Sequence, residues 1–393
     1  MTAKLSSPLV FLIAGENSGD ALGASLMRAL KDKTQGEVRF AGVGGPEMTA
    51  EGLSSLFPMQ DLAVMGVFEV VPKLPTLLRR MGETADEIER LKPDVLITID
   101  APDFCFRVIK KIKARGLRLP IVHYVAPSVW AWRPGRAAKV AKFLDHLLCL
   151  LPFEPPYFHA VGLDATFVGH PVVTRHIDEA GGAAFRSRHA IGAETKVMCV
   201  LPGSRGGEVE RLLEVFGDAV QRLHAHIPDL VVVIPAVAHL HDKIAQTVST
   251  WAVPTYVVGQ DEKAEAYVAS DAALAASGTV TLELAMAGVV HVIGYRVNAL
   301  TALLGRLLIK SPYANLINIC LQREAVPEFI QGQCTADNLA QELERLLTDE
   351  GARAAQRHSA TDALTQLGLG GPPPGERAAD VVLSVLGQAV EEN

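Results

Sequence analysis

Short apolar runs alternating with glycine-bearing polar loops and helical patterns predict an α/β chain of two doubly wound halves facing each other across a cleft. Three observations carry this. Strand-length apolar runs recur at residues 8–14, 38–43, 93–99, 120–125 and 146–151, and again at 197–202, 230–235, 255–258, 272–275 and 289–294. Most are followed by turn residues and then by helical spacing, the signature of parallel βα units. A chain of 393 residues also exceeds one simple core and suits two domains of ordinary size.

In the first half, strand 8–14 runs into Gly15-Glu16-Asn17-Ser18-Gly19-Asp20 and a helix to about residue 31. The next strand ends in Gly44-Gly45-Pro46, with a short helix at 48–52. Residues 62–78 are apolar beyond the needs of one amphipathic face and are broken by Pro72 and Pro75. Such a surplus is either core or a surface for lipid or acyl chains. After a helix at 83–91, strand 93–99 ends in Asp100-Ala101-Pro102-Asp103, two carboxylates at the edge where open α/β sheets keep their chemistry. Either can serve as general base for a hydroxyl nucleophile, or as an N-cap or turn residue. Strand 120–125 opens into a loop holding Trp130, Trp132, Arg133 and Arg136, a pairing suited to lipid headgroups or stacking, with burial of one Trp as the alternative. The stretch Phe167-Val168-Gly169-His170-Pro171 marks a domain boundary.

In the second half, residues 197–213 read VMCVLPGSRGGEVERLL, again strand, tight loop and helix. Gly203, Gly206 and Gly207 let the backbone approach an anion, and Arg205 adds a guanidinium fork matched to phosphate. Strand 272–275 is followed by Ser277-Gly278-Thr279, and Glu283 lies one turn further on, placed to accept from ribose hydroxyls. Two such loops on one edge point to a diphosphate. Residues 368–375, GLGGPPPG, form a connector, and the helical pattern at 376–390 should dock back on the first domain.

Composition is globular, with 49% apolar and 21% charged residues. The lack of a leader or of an apolar run near the ~18 residues needed to span a bilayer leads to the expectation of a cytoplasmic protein. Five scattered cysteines show no metal or redox spacing, so reduced thiols are expected. Net charge is +2 over residues 1–170 (20 basic, 18 acidic) and −9 over residues 171–393 (17 basic, 26 acidic). Between residues 104 and 144 there are ten Lys or Arg and no acid, a stripe suited to an anionic surface or to a solvated helix face.

The assembled pattern resembles the GT-B glycosyltransferases. At the level of motif, AGENSGD (14–20), VMG (64–66), IDAPDF (99–104), HYVAPSVWAWR (123–133), LPFE (151–154), FVGHP (167–171), LPGSRGGEVE (201–210) and SGTVTLE (277–283) resemble the lipid-A-disaccharide synthase family, in order over most of the chain. The resemblance implies inverting transfer of 2,3-diacylglucosamine from a UDP donor to 2,3-diacylglucosamine 1-phosphate, with neither metal nor cofactor. It implies Asp100 as general base and Arg205 as the group that neutralises the departing diphosphate. UDP contacts fall on Ser204, Arg205, Gly206, Ser277, Gly278, Thr279, Glu283 and Asn318. Glu16, Ser18, Asp20, Asp103, Trp130 and Arg133 belong to the acceptor side, and Val67, Phe68, Leu74 and Leu77 to an acyl- or membrane-facing surface. Residues 1–170 would form the acceptor domain, 171–366 the UDP-sugar domain, and 367–393 the returning linker and helix. The partners implied are the two sugar-lipids and the anionic cytoplasmic face of the inner membrane, with no nucleic acid. One departure stands out: Ile317 and Gln322 occupy positions where the family usually has Pro and Gly. A UDP-sugar 2-epimerase of the same fold, a transferase with an undecaprenyl acceptor, and a non-catalytic membrane-surface adaptor are the rival readings.

Overall fold

The computed structural model describes residues 7–62, 67–298, 302, 305, 308–309 and 311–391. It divides into two compact units, one comprising Met1–Pro171 with Gly370–Asn393 and the other Val172–Leu369. Each is built on a six-stranded parallel sheet. In the first unit the strands are β1 (Leu9–Ala14), β2 (Arg39–Val43), β3 (Val95–Ile99), β4 (Ile121–Tyr124), β5 (His146–Cys149) and β6 (Asp164–Phe167), in the order β2-β1-β3-β4-β5-β6. In the second they are β7 (Lys196–Leu201), β8 (Leu230–Pro235), β9 (Thr255–Val258), β10 (Ala272–Ala275), β11 (Val290–Tyr295) and β12 (Glu328–Ile330), in the order β9-β8-β7-β10-β11-β12.

Both orders reverse direction once, and loops on either side of that reversal diverge and leave a crevice. In the first unit the reversal lies between β1 and β3, where Ala14 pairs with Ile99, so Gly15 and Asp100 leave the sheet side by side. In the second it lies between β7 and β10, where Leu201 pairs with Ala275, which brings the loops after Leu201 and Ala275 together. Strands buried on both faces read as continuous apolar runs, and β1 and β3 are buried throughout. Separate apolar clusters cover the two faces of each sheet.

Two edge strands and one helix depart from the sequence expectation. β6 and β12 have four and three residues, too short and too mixed in polarity to show as apolar runs. The helix Val67–Leu91 runs unbroken through Pro72 and Pro75. Each proline removes one backbone donor near the start of a 25-residue helix, while Leu77, Ala85 and Ile88 further along are buried in the core. Val64 and Gly66, part of the VMG motif, lie outside the described residues, as do the side chains of Val67 and Phe68.

The last helix, Pro374–Glu391, packs on the helix Asn17–Lys33 of the first unit through buried Ala378, Ala379, Val382 and Leu386. Close approach requires Gly375: a Cβ there would lie 2.3 Å from the Ser25 hydroxyl oxygen. Arg377 Nη2 donates to the Phe167 carbonyl at 2.8 Å, tying the helix to the end of β6. Among the described residues no helix is long and apolar enough to cross a membrane.

Candidate active site

In the first unit the site grows from the turn after β3. Asp100 and Ala101 both adopt positive φ, 49° and 41°, a conformation that side-chain-bearing residues avoid. Two features hold it. The Asp100 N–H donates to the Tyr124 carbonyl at 2.9 Å, and Gly15 across the edge has no side chain, where a Cβ would lie 2.7 Å from the Ala101 Cβ. Pro102 then starts the helix Pro102–Ala114, with Asp103 exposed in its first turn. Partial burial raises the Asp100 carboxyl above the usual aspartate value, opposed by a hydrogen bond with the Ala101 backbone. His123, on the neighbouring strand, is buried against Thr98 and its pKa is pushed down to about 3, so it is a neutral packing group.

Around Asp100 the other strand ends contribute Glu16 and Ser18 after β1, and the loop after β4. Trp130 packs edge-on against Phe153 and donates through Nε1 to Glu154 Oε1 at 3.2 Å. Glu154 also accepts from the Leu151 N–H, and its burial lifts its carboxyl to about 7. Arg133 and Trp132 are exposed, with the guanidinium 4.3 Å from the indole centroid.

Two residues, one expected on the acceptor side and one on the acyl- or membrane-facing surface, are interior. Asp20 is buried and accepts from the N–H groups of Gly45, Glu47 and Met48, so its carboxylate caps the helix Pro46–Ala50. Leu77 belongs to the core rather than to an outward face, because the helix turns it inward while Leu74 and Leu78 remain 43% and 53% exposed.

In the second unit the loops after β7 and β10 line one pocket of about 310 Å³, which also takes in Glu208, Gln260, Lys263, Tyr267 and Glu283. Ser204, Arg205, Ser277, Gly278 and Thr279 all line it. Gly203 has φ +116°, and Glu208 folds back so closely that a Cβ on Gly203 would lie 2.7 Å from its carboxylate. Arg205 caps the 21-residue helix Gly206–His226 by backbone geometry, is largely exposed, and donates to Glu208 at 3.3 Å. Glu283 is held by Arg175 at 2.6 Å and Lys263 at 2.7 Å, with the Tyr267 hydroxyl at 3.4 Å.

Gly206, already the first residue of its helix, lies outside the pocket lining, and so does Asn318. Asn318 is fully buried, donates to Val326 O and Glu328, and accepts from the N–H groups of Ala325 and Val326. It thereby fixes the segment whose neighbour Ala314 accepts from the Ser277 hydroxyl. Gln322, where the family usually has Gly, has φ +54°, the backbone state that Gly adopts at least cost. Lys263, Tyr267, Glu208 and Arg175 escaped the sequence reading. The first two lie in a helical pattern that resembles any solvated face, and Arg175 sits just past a domain boundary without a motif around it.

Two parallel sheets of this kind, with polar loops gathered at each topological switch point, define a protein of the GT-B glycosyltransferase type. The fold matches a putative UDP-N-acetylglucosamine 2-epimerase of Listeria monocytogenes, with TM-score 0.63 and 13% identity over 98% of each chain. It also matches the calicheamicin glycosyltransferase CalG4, with TM-score 0.57 and 16% identity over 98% of this chain and 99% of that one. At the level of sequence, residues 10–370 match the lipid-A-disaccharide synthetase family. The lipid-A-disaccharide synthase of Rhodospirillum centenum (strain ATCC 51521 / SW) is 52% identical over 97% of this chain and 96% of that protein. The chain belongs to the lipid-A-disaccharide synthase family, glycosyltransferases of lipid A biosynthesis.

Proposed function

We propose that the chain condenses UDP-2,3-diacylglucosamine with 2,3-diacylglucosamine 1-phosphate, giving a β-1,6-linked disaccharide 1-phosphate and UDP with inversion at the anomeric carbon. The observation that carries this reading is the second-unit pocket, where two strand-end loops, Arg205 and Glu283 meet around a volume suited to a nucleotide. In this reading the diphosphate lies against the loops containing Ser204 and Ser277, and Glu283 accepts from the ribose. Asp100 takes the proton of the acceptor 6-hydroxyl as that oxygen attacks the anomeric carbon, and the bond to the UDP oxygen breaks. A raised pKa makes Asp100 a stronger base than an ordinary aspartate. Arg205 offsets the charge that develops on the leaving diphosphate.

The first unit, with residues 1–170, then serves the acceptor, and residues 171–366 serve the donor. Peripheral attachment to the cytoplasmic face of the inner membrane is part of the same reading. Exposed Leu74 and Leu78 supply apolar contact, and exposed Arg107, Lys110, Lys111 and Lys113 on the adjoining helix supply attraction to anionic headgroups. The test is transfer from UDP-2,3-diacylglucosamine to radiolabelled acceptor in detergent, comparing the native chain with Asp100→Ala and Arg205→Ala. Product from the native chain alone supports reaction and roles together. Full activity in both variants would discard the roles, and no product from a chain that still binds UDP would favour the epimerase.

A further inference from the structure

Glu283 carries one negative charge and meets two cations, which come from different sides. Lys263 lines the pocket, whereas Arg175 approaches from outside its lining and bonds the other carboxylate oxygen. The Glu283 side chain is 11% exposed and that of Lys263 25%, so the pair is partly shielded and strongly felt. A ribose diol donating to Glu283 from the pocket meets an oxygen that already accepts from the Lys263 ammonium and, at 3.4 Å, from the Tyr267 hydroxyl, so it competes with Lys263 for that side of the carboxylate. Arg175 need not move. Lys263 ends a flexible stem, and its ammonium lies 5.6 Å from the Tyr267 ring centroid, so a swing away from Glu283 keeps a cation–π contact within reach.

We propose that Lys263 is a diphosphate-binding residue that exchanges partners: donor ribose replaces it on Glu283, and its ammonium turns to the diphosphate. This rests on the donor-site reading above. The exchange lets the pocket hold Glu283 oriented before the donor binds, and it makes the two ends of the ligand bind in concert, because the ribose frees the cation that the diphosphate needs. Arg175 keeps its ion pair with Glu283 throughout.

The experiment is calorimetric titration of the native chain, Lys263→Met and Lys263→Arg with UDP and, separately, with uridine. The exchange predicts that Lys263→Met weakens UDP by about tenfold or more, the usual effect of losing a charge-assisted contact. Uridine affinity stays equal or rises, because nothing then competes for Glu283, and its binding also shows that the variant is folded. Lys263→Arg recovers much of the UDP affinity. Equal weakening of both ligands would reduce Lys263 to a support for Glu283 and overturn the proposal, as would unchanged UDP binding. A native chain that bound neither ligand would overturn the donor-site reading itself, and the exchange with it.

Discussion

The two units share a sheet size, a strand direction and the position of the switch point relative to the carboxyl edge, yet they furnish that edge in opposite ways. In the first unit the switch point presents a carboxylate on a strained turn, with burial raising its pKa and no ion pair to it among the described residues. In the second, the pocket carboxylate is pinned by two cations and a phenol. A partly desolvated carboxylate without a counter-ion is suited to take a proton, and one held by two cations is suited to accept hydrogen bonds in a fixed orientation. The fold thus sets where chemistry is placed, and the loop residues set which chemistry it is.

The largest expected effect tests the first half of that contrast. Asp100→Asn removes the proposed base while keeping the shape, and should lower transfer by about 10²–10⁴-fold with UDP affinity unchanged. Because the folded-state pKa is raised, the stability that protonated Asp100 contributes is lost as pH rises through that value, so the variant should melt no lower than the native chain at pH 8. A clear loss of melting temperature there would mean that the carboxylate is structural. Arg205→Met bears on the second half: about a 100-fold loss in kcat/KM for the donor is expected, with melting unchanged because the side chain is 64% exposed. Unaltered kinetics would leave the pocket without its leaving-group partner.

Smaller effects sharpen the same comparison. Gly15→Ala forces a methyl against Ala101 and should displace the Asp100 turn, cutting turnover about tenfold while UDP titration stays native; equal loss of both would place the damage in folding. Leu74→Ser with Leu78→Ser should weaken sedimentation with anionic vesicles a few-fold and spare turnover in detergent. The smallest concerns Glu154. Its folded pKa of about 7 exceeds the ordinary glutamate value of 4.5, so the stability it contributes is present below 4.5 and is lost as pH rises through about 7. Between pH 5 and 8 the melting temperature of Glu154→Gln should therefore depend less steeply on pH than that of the native chain, and parallel curves would rule out a titrating Glu154.

Much of the framework could be read from residue order. All but two strands announce themselves as apolar runs, the central ones because a strand covered on both faces has no polar side to hide it. The loops after β1, β3, β7 and β10 were visible as glycine- or aspartate-bearing stops. Edge strands β6 and β12, half exposed and very short, left no such trace. Proline misled at 72 and 75, where a local penalty was outweighed by burial further along the helix.

Sequence by itself determined the βα alternation, the loops that end on the functional edges, and the family motifs, all of which are local patterns of spacing and residue type. Which polar groups are spent internally follows from long-range packing alone. Asp20 caps a helix 25 residues and more away in the chain, Asn318 clamps residues 325–328, and Lys263 and Arg175 converge on Glu283 from separate segments. A side chain's partners are set by long-range packing, and the same Asp or Lys reads identically in sequence whether it is satisfied in the interior or left to meet a ligand.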